Sequence, residues 1–342
     1  MSKKKRLAEM VFGRLGFVTL PAFGAMRPRW LSVLAYHQVV DSISEDYPFV
    51  RGTLSATRDE FEKQVVFVKK HYDVINFQVL SESLRHGRIP KRALIITFDD
   101  GYRSNYDVVY EVLKKHGVTA TIFVSTQFVD SGEPFWFDKV AYEIYTMALG
   151  QLSLDEGKHI LEIHHDNRRE ARRSLQTILS RVPNETRMKM LDELERVAQT
   201  KISDDDRRLA QPLTWKQIQQ MSEGGIEIAS HTVSHPYLPN LTDGEIELEL
   251  ARSKESIEQA TGCEVKCIAY PAGSYDARVM DWAQRCGYEF GVSYKHDVAP
   301  FRSKTAFEIP RLHVETDVEY PLFVANLMWP QVFVRRGSGR RF

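Results

Sequence analysis

No charge of either sign dominates this chain of 342 residues, in which 46 basic and 46 acidic side chains cancel. That balance lacks the electrostatic footprint of a nucleic-acid-binding domain. Neither a Gly-rich phosphate loop nor an RNA-binding signature is present, so no nucleic-acid partner is expected. Cysteine is scarce as well. The three thiols, Cys263, Cys267 and Cys286, are an odd number in separate contexts, which argues against a disulfide framework. The Cys263–Cys267 spacing taken alone would suit zinc. However, Cys267 lies in an apolar run and Cys286 at helical spacing from Trp282, so all three read as core or half-buried thiols, in keeping with a reducing compartment.

Long apolar runs are missing too. Lys3 to Arg6 precede a mixed apolar stretch, but Glu9, Arg14 and Pro21 interrupt it. Its longest uncharged piece, Leu15 to Met26, is too short to span a bilayer. We read 1–30 as an uncleaved basic and apolar arm and 331–342, with Arg335, Arg336, Arg340 and Arg341, as a basic tail. The arm suits a membrane surface or, equally, packing on the domain, the tail suits an anionic lipid or a glycan, and we expect a protein that is cytoplasmic or peripheral at the inner membrane face.

What is present is a strand that ends in acids. Ala93 to Phe98 is apolar or β-branched throughout, the pattern of a strand buried on both faces, and Asp99, Asp100 and Gly101 follow at once. Adjacent carboxylates repel, so keeping both ionised calls for a cation; the usual division of labour is one metal ligand and one general base. A helix N-terminus beginning at Gly101, capped by one of the acids, accounts for the same residues.

Around this strand the chain alternates. Leu31 to Tyr36 reads as a strand and delivers His37 to its end, the address at which chemistry collects in barrel-like α/β folds; backbone carbonyls satisfying the ring are the alternative. Thr57 and Glu60 form a capping box for a helix, Asp73 to Phe77 reads as a strand and Ser81 to His86 as a short helix. Val118 to Val124 is another strand. Strand and helix in alternation argue for parallel strands joined by right-handed crossovers. The rhythm breaks over about 128–212, where an aromatic cluster, Pro134 to Phe137, leads into a charged segment of helical pattern. We expect a helical insertion whose aromatics anchor it to the core, with stacking on sugar faces as the alternative.

Beyond the insertion, Ile226 to Ser230 is a strand that runs into His231-Thr-Val-Ser-His235-Pro236. Two histidines four apart can meet one metal from a helical turn. With an acid at a neighbouring strand end they offer two nitrogens and one oxygen, the ligand set of a catalytic zinc site with room for water. Val265 to Tyr270 and Tyr288 to Tyr294 are further strands, with Pro271, Ala272 and Gly273 turning on the same rim. In the last strand, Ile309 to Val314, Arg311 and His313 share a face. Arg311 can orient a carboxylate and His313 can serve as an acid; a structural ion pair or hydrogen bond explains each equally well.

Assembled in this order, the motifs resemble the polysaccharide deacetylases with the NodB homology domain, carbohydrate esterase family 4. The likeness spans Ser32 to Val314 and implies a distorted, incomplete (β/α) barrel, here over 31–330 with the helical insertion. Thr97-Phe-Asp99-Asp100-Gly-Tyr102 is similar to the family's first motif, implying Asp99 as catalytic base and Asp100 as metal ligand. His231 and His235 match the second, implying the other ligands of a divalent ion, zinc first, with cobalt or nickel as alternatives. Tyr36-His37 and Tyr270-Pro271-Ala-Gly273 resemble the branch with a Tyr-His pair and a Tyr-Pro-x-Gly turn in place of the third motif's arginine. On this basis Tyr102, Tyr270, Pro271 and Gly273 are expected to contact substrate. Arg311-Leu-His313 matches the fifth motif loosely, so strand-end position favours His37 as general acid and alignment favours His313. The resemblance implies removal of N-acetyl groups from a polysaccharide or glycan precursor. The rivals are deacylation of a lipid-linked amino sugar and a non-catalytic glycan-binding module.

Overall fold

Parallel strands organise this protein, and most of those in its central ring follow a helix that the sequence itself starts and stops. The structure is a computed structural model describing residues 31–44, 47–87, 89–298, 303–330 and 334. The arm expected over 1–30 and nearly all of the basic tail lie outside the described residues.

In chain order, β1 (Ser32–Tyr36) leads to a small parallel pair, β2 (Gln38–Val40) and β3 (Leu54–Thr57), and then to α1 (Arg58–His71). Thr57 and Glu60 close the capping box expected for α1. Next come β4 (Asp73–Ile75), α2 (Phe77–Arg85), β5 (Ala93–Phe98), α3 (Glu111–His116), β6 (Thr121–Val124) and α4 (Thr126–Ser131). The expected strand through Phe77 is shorter than its apolar pattern suggests, because the Asn76 side chain accepts from Val79 N–H and starts α2 there.

The insertion comprises α5 (Trp136–Thr146), β7 (Gly150–Leu154), β8 (His159–Ile163), α6 (Arg168–Leu179), α7 (Asn184–Ala198) and α8 (Asp204–Leu209). It is therefore not purely helical: β7 and β8 form an antiparallel hairpin. Its turn runs through Asp155, Glu156 and Gly157, all at positive φ, and Leu152 and Leu154 alternate inward. The chain then returns through α9 (Trp215–Glu223), β9 (Glu227–Ser230), α10 (Asp243–Thr261), β10 (Cys267–Ala269), α11 (Ala277–Arg285), β11 (Phe290–His296), β12 (Ile309–His313) and α12 (Tyr320–Met328).

Seven of these strands close a ring in the order β1, β12, β11, β10, β9, β6, β5, with β5 returning to β1. The eighth, β4, pairs only with the start of β5, Asp73 to Ile75 against Ala93 to Ile95. β6 takes over at Thr97 and Phe98. That hand-over leaves β4 outside the ring, so the (β/α) barrel closes on seven strands and is distorted from a regular eight-stranded one.

Side-chain parity then decides what the barrel contains. Val33, Ala93, Ile95, Phe123, Ala229, Cys267, Ala269, Val292 and Ile309 fill its interior. Leu34, Ile96, Phe98, Ile122 and Ile268 face the helices. Extending the inward parity by two residues per step brings His37, Asp99, His231 and Arg311 to one mouth, at the C-terminal ends of the strands.

A separate apolar cluster, including Val140, Leu152, Leu175, Met190 and Leu194, gives the insertion its own core. Aromatics join it to the barrel mouth: Phe135 and Phe137 pack with Tyr102 and Phe128, so the cluster anchors the insertion as expected. Among the thiols, Cys267 is buried and Cys286 half-buried, but Cys263 is exposed, past the end of α10, and is not a core residue.

Candidate active site

β5 keeps strand geometry as far as Asp99, whose N–H donates to the Tyr36 carbonyl at 2.9 Å. Asp100 then turns to a φ of 77° and Gly101 to 83°, so the two adjacent carboxyl groups part company. A left-handed non-glycine residue costs roughly 1–3 kcal/mol and persists where its surroundings over-determine it. Gly101 is fixed on two counts, since its φ favours glycine and a Cβ there would lie 3.0 Å from Val124 Cγ1.

Asp99 meets Arg311 in a parallel fork. Nη1 and Nη2 each donate at 2.7 Å, to Oδ1 and Oδ2. The guanidinium is otherwise satisfied by the Ser293 carbonyl and the Thr97 hydroxyl, both at 3.2 Å. Both partners are buried. Burial opposes ionisation of Asp99, but the attraction and hydrogen bonds of Arg311 outweigh it and hold the carboxyl well below the usual range.

His231 and His235 do not sit on a helical turn, as their spacing suggests. They flank a loop in which Thr232 has a φ of 69° and His235 of 55°. Their Nε2 atoms lie 3.4 and 3.5 Å from Asp100 Oδ1. One ligand atom from each of the three residues falls within 4.8 Å of the others. His231 Nδ1 donates to the Ala269 carbonyl at 2.8 Å, which fixes the ring with its Nε2 turned toward Asp100. His235 Nδ1 is buried with no partner among the described residues. Burial disfavours charge on both rings. The Asp100 hydrogen bond and the two acids reverse that for His231, whereas burial and the His231 charge push His235 down to about 3. Burial likewise opposes ionisation of Asp100, and the histidines outweigh it. Two imidazole nitrogens and a carboxylate, convergent yet poorly satisfied by one another, are a donor set that fits a divalent ion.

His313 is buried beside this cluster. Its Nε2 faces the Tyr294 carbonyl at 3.2 Å, and Nδ1 has no partner among the described residues. Burial, with the positive field of Arg311 and His296, pushes the ring well below its ordinary value. His37 is half-buried; its N–H donates to Ser55 Oγ and its carbonyl accepts from Asn105. A charge on it bears on Asp99, Asp100 and His313.

Two of the expected substrate contacts, the side chains of Tyr102 and Tyr270, need correction. Tyr102 is fully buried and its hydroxyl donates to Asp138 at 2.6 Å. Tyr270 is buried with its hydroxyl on the Phe307 carbonyl. Pro271 is buried as well, and Gly273 packs so closely that a Cβ would meet Tyr294 Cβ at 2.2 Å. The two tyrosine side chains shape the site from behind, because their hydroxyls are already bonded inside the protein.

The profile of the family described as "Polysaccharide deacetylase" matches residues 86–291, from before β5 to β11. The chain belongs to the polysaccharide deacetylase family. It is thus a hydrolase of the carbon–nitrogen bond of N-acetyl sugars, in a family that generally depends on a divalent metal.

Among the relatives of this deacetylase, YxkH of Bacillus subtilis, whose name places it provisionally among the polysaccharide deacetylases, is 24% identical over 303 residues, covering 88% of this chain and 77% of that one. The poly-β-1,6-N-acetyl-D-glucosamine N-deacetylase of Staphylococcus epidermidis is 32% identical over 108 residues, 29% of this chain and 37% of that one. In fold the chain is similar to the Streptococcus pyogenes deacetylase PplD, with a TM-score of 0.60 at 19% identity, covering 89% of this chain and all of that one.

Some of what holds the deacetylase site lies outside its sequence motifs. The Trp136 indole N–H donates to the His235 carbonyl at 3.1 Å. Asp138 anchors Tyr102, and its carboxyl is pushed up to about 7, chiefly by burial. Glu249 bonds the histidine loop. For Glu249 the sequence does carry a signal: it falls between Ile246 and Ser253 in the buried stripe of α10, where a charge is out of place.

Proposed function

We propose that this protein removes acetyl groups from an N-acetylated amino sugar of a polysaccharide or glycan precursor. The observation that carries the reading is the convergence of Asp100, His231 and His235 within 4.8 Å, beside an Asp99 forked on Arg311. In this reading Asp100, His231 and His235 hold a divalent ion, zinc first and cobalt or nickel as alternatives. When bound, such an ion polarises the acetamide oxygen and acidifies water.

The chain's own residues do the rest. Asp99, kept ionised by Arg311, accepts a proton from the attacking water through a carboxylate oxygen. A base held so low is weak, so it depends on a water made acidic at the site. Arg311 fixes the plane of that carboxylate. The backbone N–H of Tyr102, after the Gly101 turn, is assigned to the developing oxyanion. We assign the proton for the leaving amine to His313 Nδ1, the buried ring nitrogen without a partner among the described residues; the ring is neutral at rest, so the proton it delivers is one released by the attacking water and relayed to it during the reaction. His37 is its rival, a half-buried ring at the end of β1.

The staphylococcal match supports a polymer of N-acetylglucosamine as the first substrate to try, with a lipid-linked N-acyl amino sugar as the second. Acetate release by zinc-reconstituted protein from β-linked N-acetylglucosamine oligomers and from a lipid-linked N-acetyl sugar tests the assignment. Release from either, lost with His231→Ala, is expected. Binding of these glycans without release under any metal would favour the glycan-binding reading instead.

A further inference from the structure

Glu249 belongs to α10, outside every motif that marks the site, yet it reaches the loop between the two histidines. Its Oε2 accepts from Val233 N–H at 2.8 Å and from Ser234 N–H at 2.9 Å, and its Oε1 accepts from Ser234 Oγ at 2.6 Å. Those amides lie between Thr232 and His235, the residues at positive φ, so this is the segment that needs an external hold. The loop's carbonyls are held from the opposite side. Thr126 N–H donates to Thr232 O, Gln127 N–H to Val233 O and Ser125 Oγ to His231 O.

The remaining partners are local or come from the insertion. His235 N–H donates to Thr232 Oγ1 at 3.1 Å, and Trp136 donates to the His235 carbonyl. Glu249 is the charged member of this set and the sole acceptor seen for the two middle amides among the described residues. Without it, two N–H groups and a hydroxyl would lose their partners in a half-buried loop whose backbone is already strained.

We propose that Glu249 is a positioning residue that pre-forms the histidine loop, so that His231 and His235 face Asp100 before any ion arrives. The inference rests on the metal-site reading above. Groups that orient ligand-bearing segments typically change metal affinity by about 10–100-fold when removed. A carboxylate that accepts three hydrogen bonds from the peptide linking two ligands belongs to that class.

The test uses the full chain, apo and zinc-loaded. Zinc affinity is measured by competition with a chromophoric chelator, and exchange of the Val233 and Ser234 amides is followed in the apo protein. Glu249→Ala should weaken zinc by about 10–100-fold and speed exchange of those amides, with turnover recovering at saturating zinc. Glu249→Gln should keep most of the affinity, because its amide oxygen can still accept from both N–H groups. Where Glu249→Ala fails to fold, Ser234→Ala, which removes one of the three bonds, should show a few-fold loss. Wild-type affinity in Glu249→Ala, or in Ser234→Ala when that variant must decide, overturns the proposal. So does unchanged amide exchange in Glu249→Ala. Failure of the metal reading itself looks different: the wild-type chain would bind no stoichiometric zinc, or His231→Ala would bind it normally.

Discussion

Arg311 and Asp99 lie 212 residues apart in the chain and meet at the barrel mouth through two 2.7 Å hydrogen bonds. β12 pairs with β1, and β1 with β5, so the ring closure is what brings them together. The guanidinium that pairs with Asp99 thus comes from the last strand of the ring.

Arg311→Gln therefore leaves Asp99 buried with a neutral partner. The Asp99 carboxyl is depressed in the folded protein, so its pairing stabilises above the unfolded pKa and is lost as pH falls through the lower folded value. Removing the guanidinium should raise that carboxyl and move the acid limb of the pH–rate profile upward. It should also destabilise the fold by about 3–5 kcal/mol, the cost of an unpaired buried charge. A pH profile and a denaturant titration check both, and an acid limb that stays put contradicts the pairing's role.

Asp138 predicts the opposite slope. Burial raises its carboxyl to about 7, so folding is favoured below the unfolded carboxylate pKa and loses that contribution as pH rises through about 7. The group is fully buried, and the effect is on the order of 4 kcal/mol between the two limits. Asp138→Asn should flatten the stability profile across this window, as measured by chemical denaturation at several pH values. An unchanged slope would show that Asp138 does not titrate there.

Gly101→Ala asks whether the Asp100 turn is as tight as it looks. The new Cβ would press on Val124 at a backbone angle that alanine resists. A loss of about 1–3 kcal/mol is expected, together with weaker zinc binding through the displaced Asp100. A variant as stable and as zinc-avid as wild type would mean that the turn relaxes freely.

Much of this site is legible in the sequence, because it rests on local chemistry. An apolar run ending in Asp99 and Asp100 announces a buried strand with acids at its end, and the two-residue period aligns Arg311 with His313. What is not legible lies in long-range geometry. Strand parity cannot say that Arg311 chooses Asp99, since that depends on which strands neighbour one another. Histidine spacing suggests a helical turn, while the loop is held in left-handed conformations by Glu249 and its opposing donors. The motifs of Tyr102 and Tyr270 suggest substrate contacts, but their hydroxyls are spent on Asp138 and the Phe307 carbonyl. The hairpin of β7 and β8 is hidden by the charged residues around it, and its inward leucines are few.

The division of labour between the adjacent acids is the account's central claim, and turnover against added zinc for Asp99→Asn and Asp100→Asn tests it most directly. Asp99→Asn should keep the ion and lose about 10²–10⁴ in rate at every zinc concentration, since an amide cannot accept the proton at neutral pH. Asp100→Asn should bind zinc more weakly and recover in part as zinc is raised. Rescue of Asp99→Asn by zinc, or wild-type rates in either variant, would contradict the assignment.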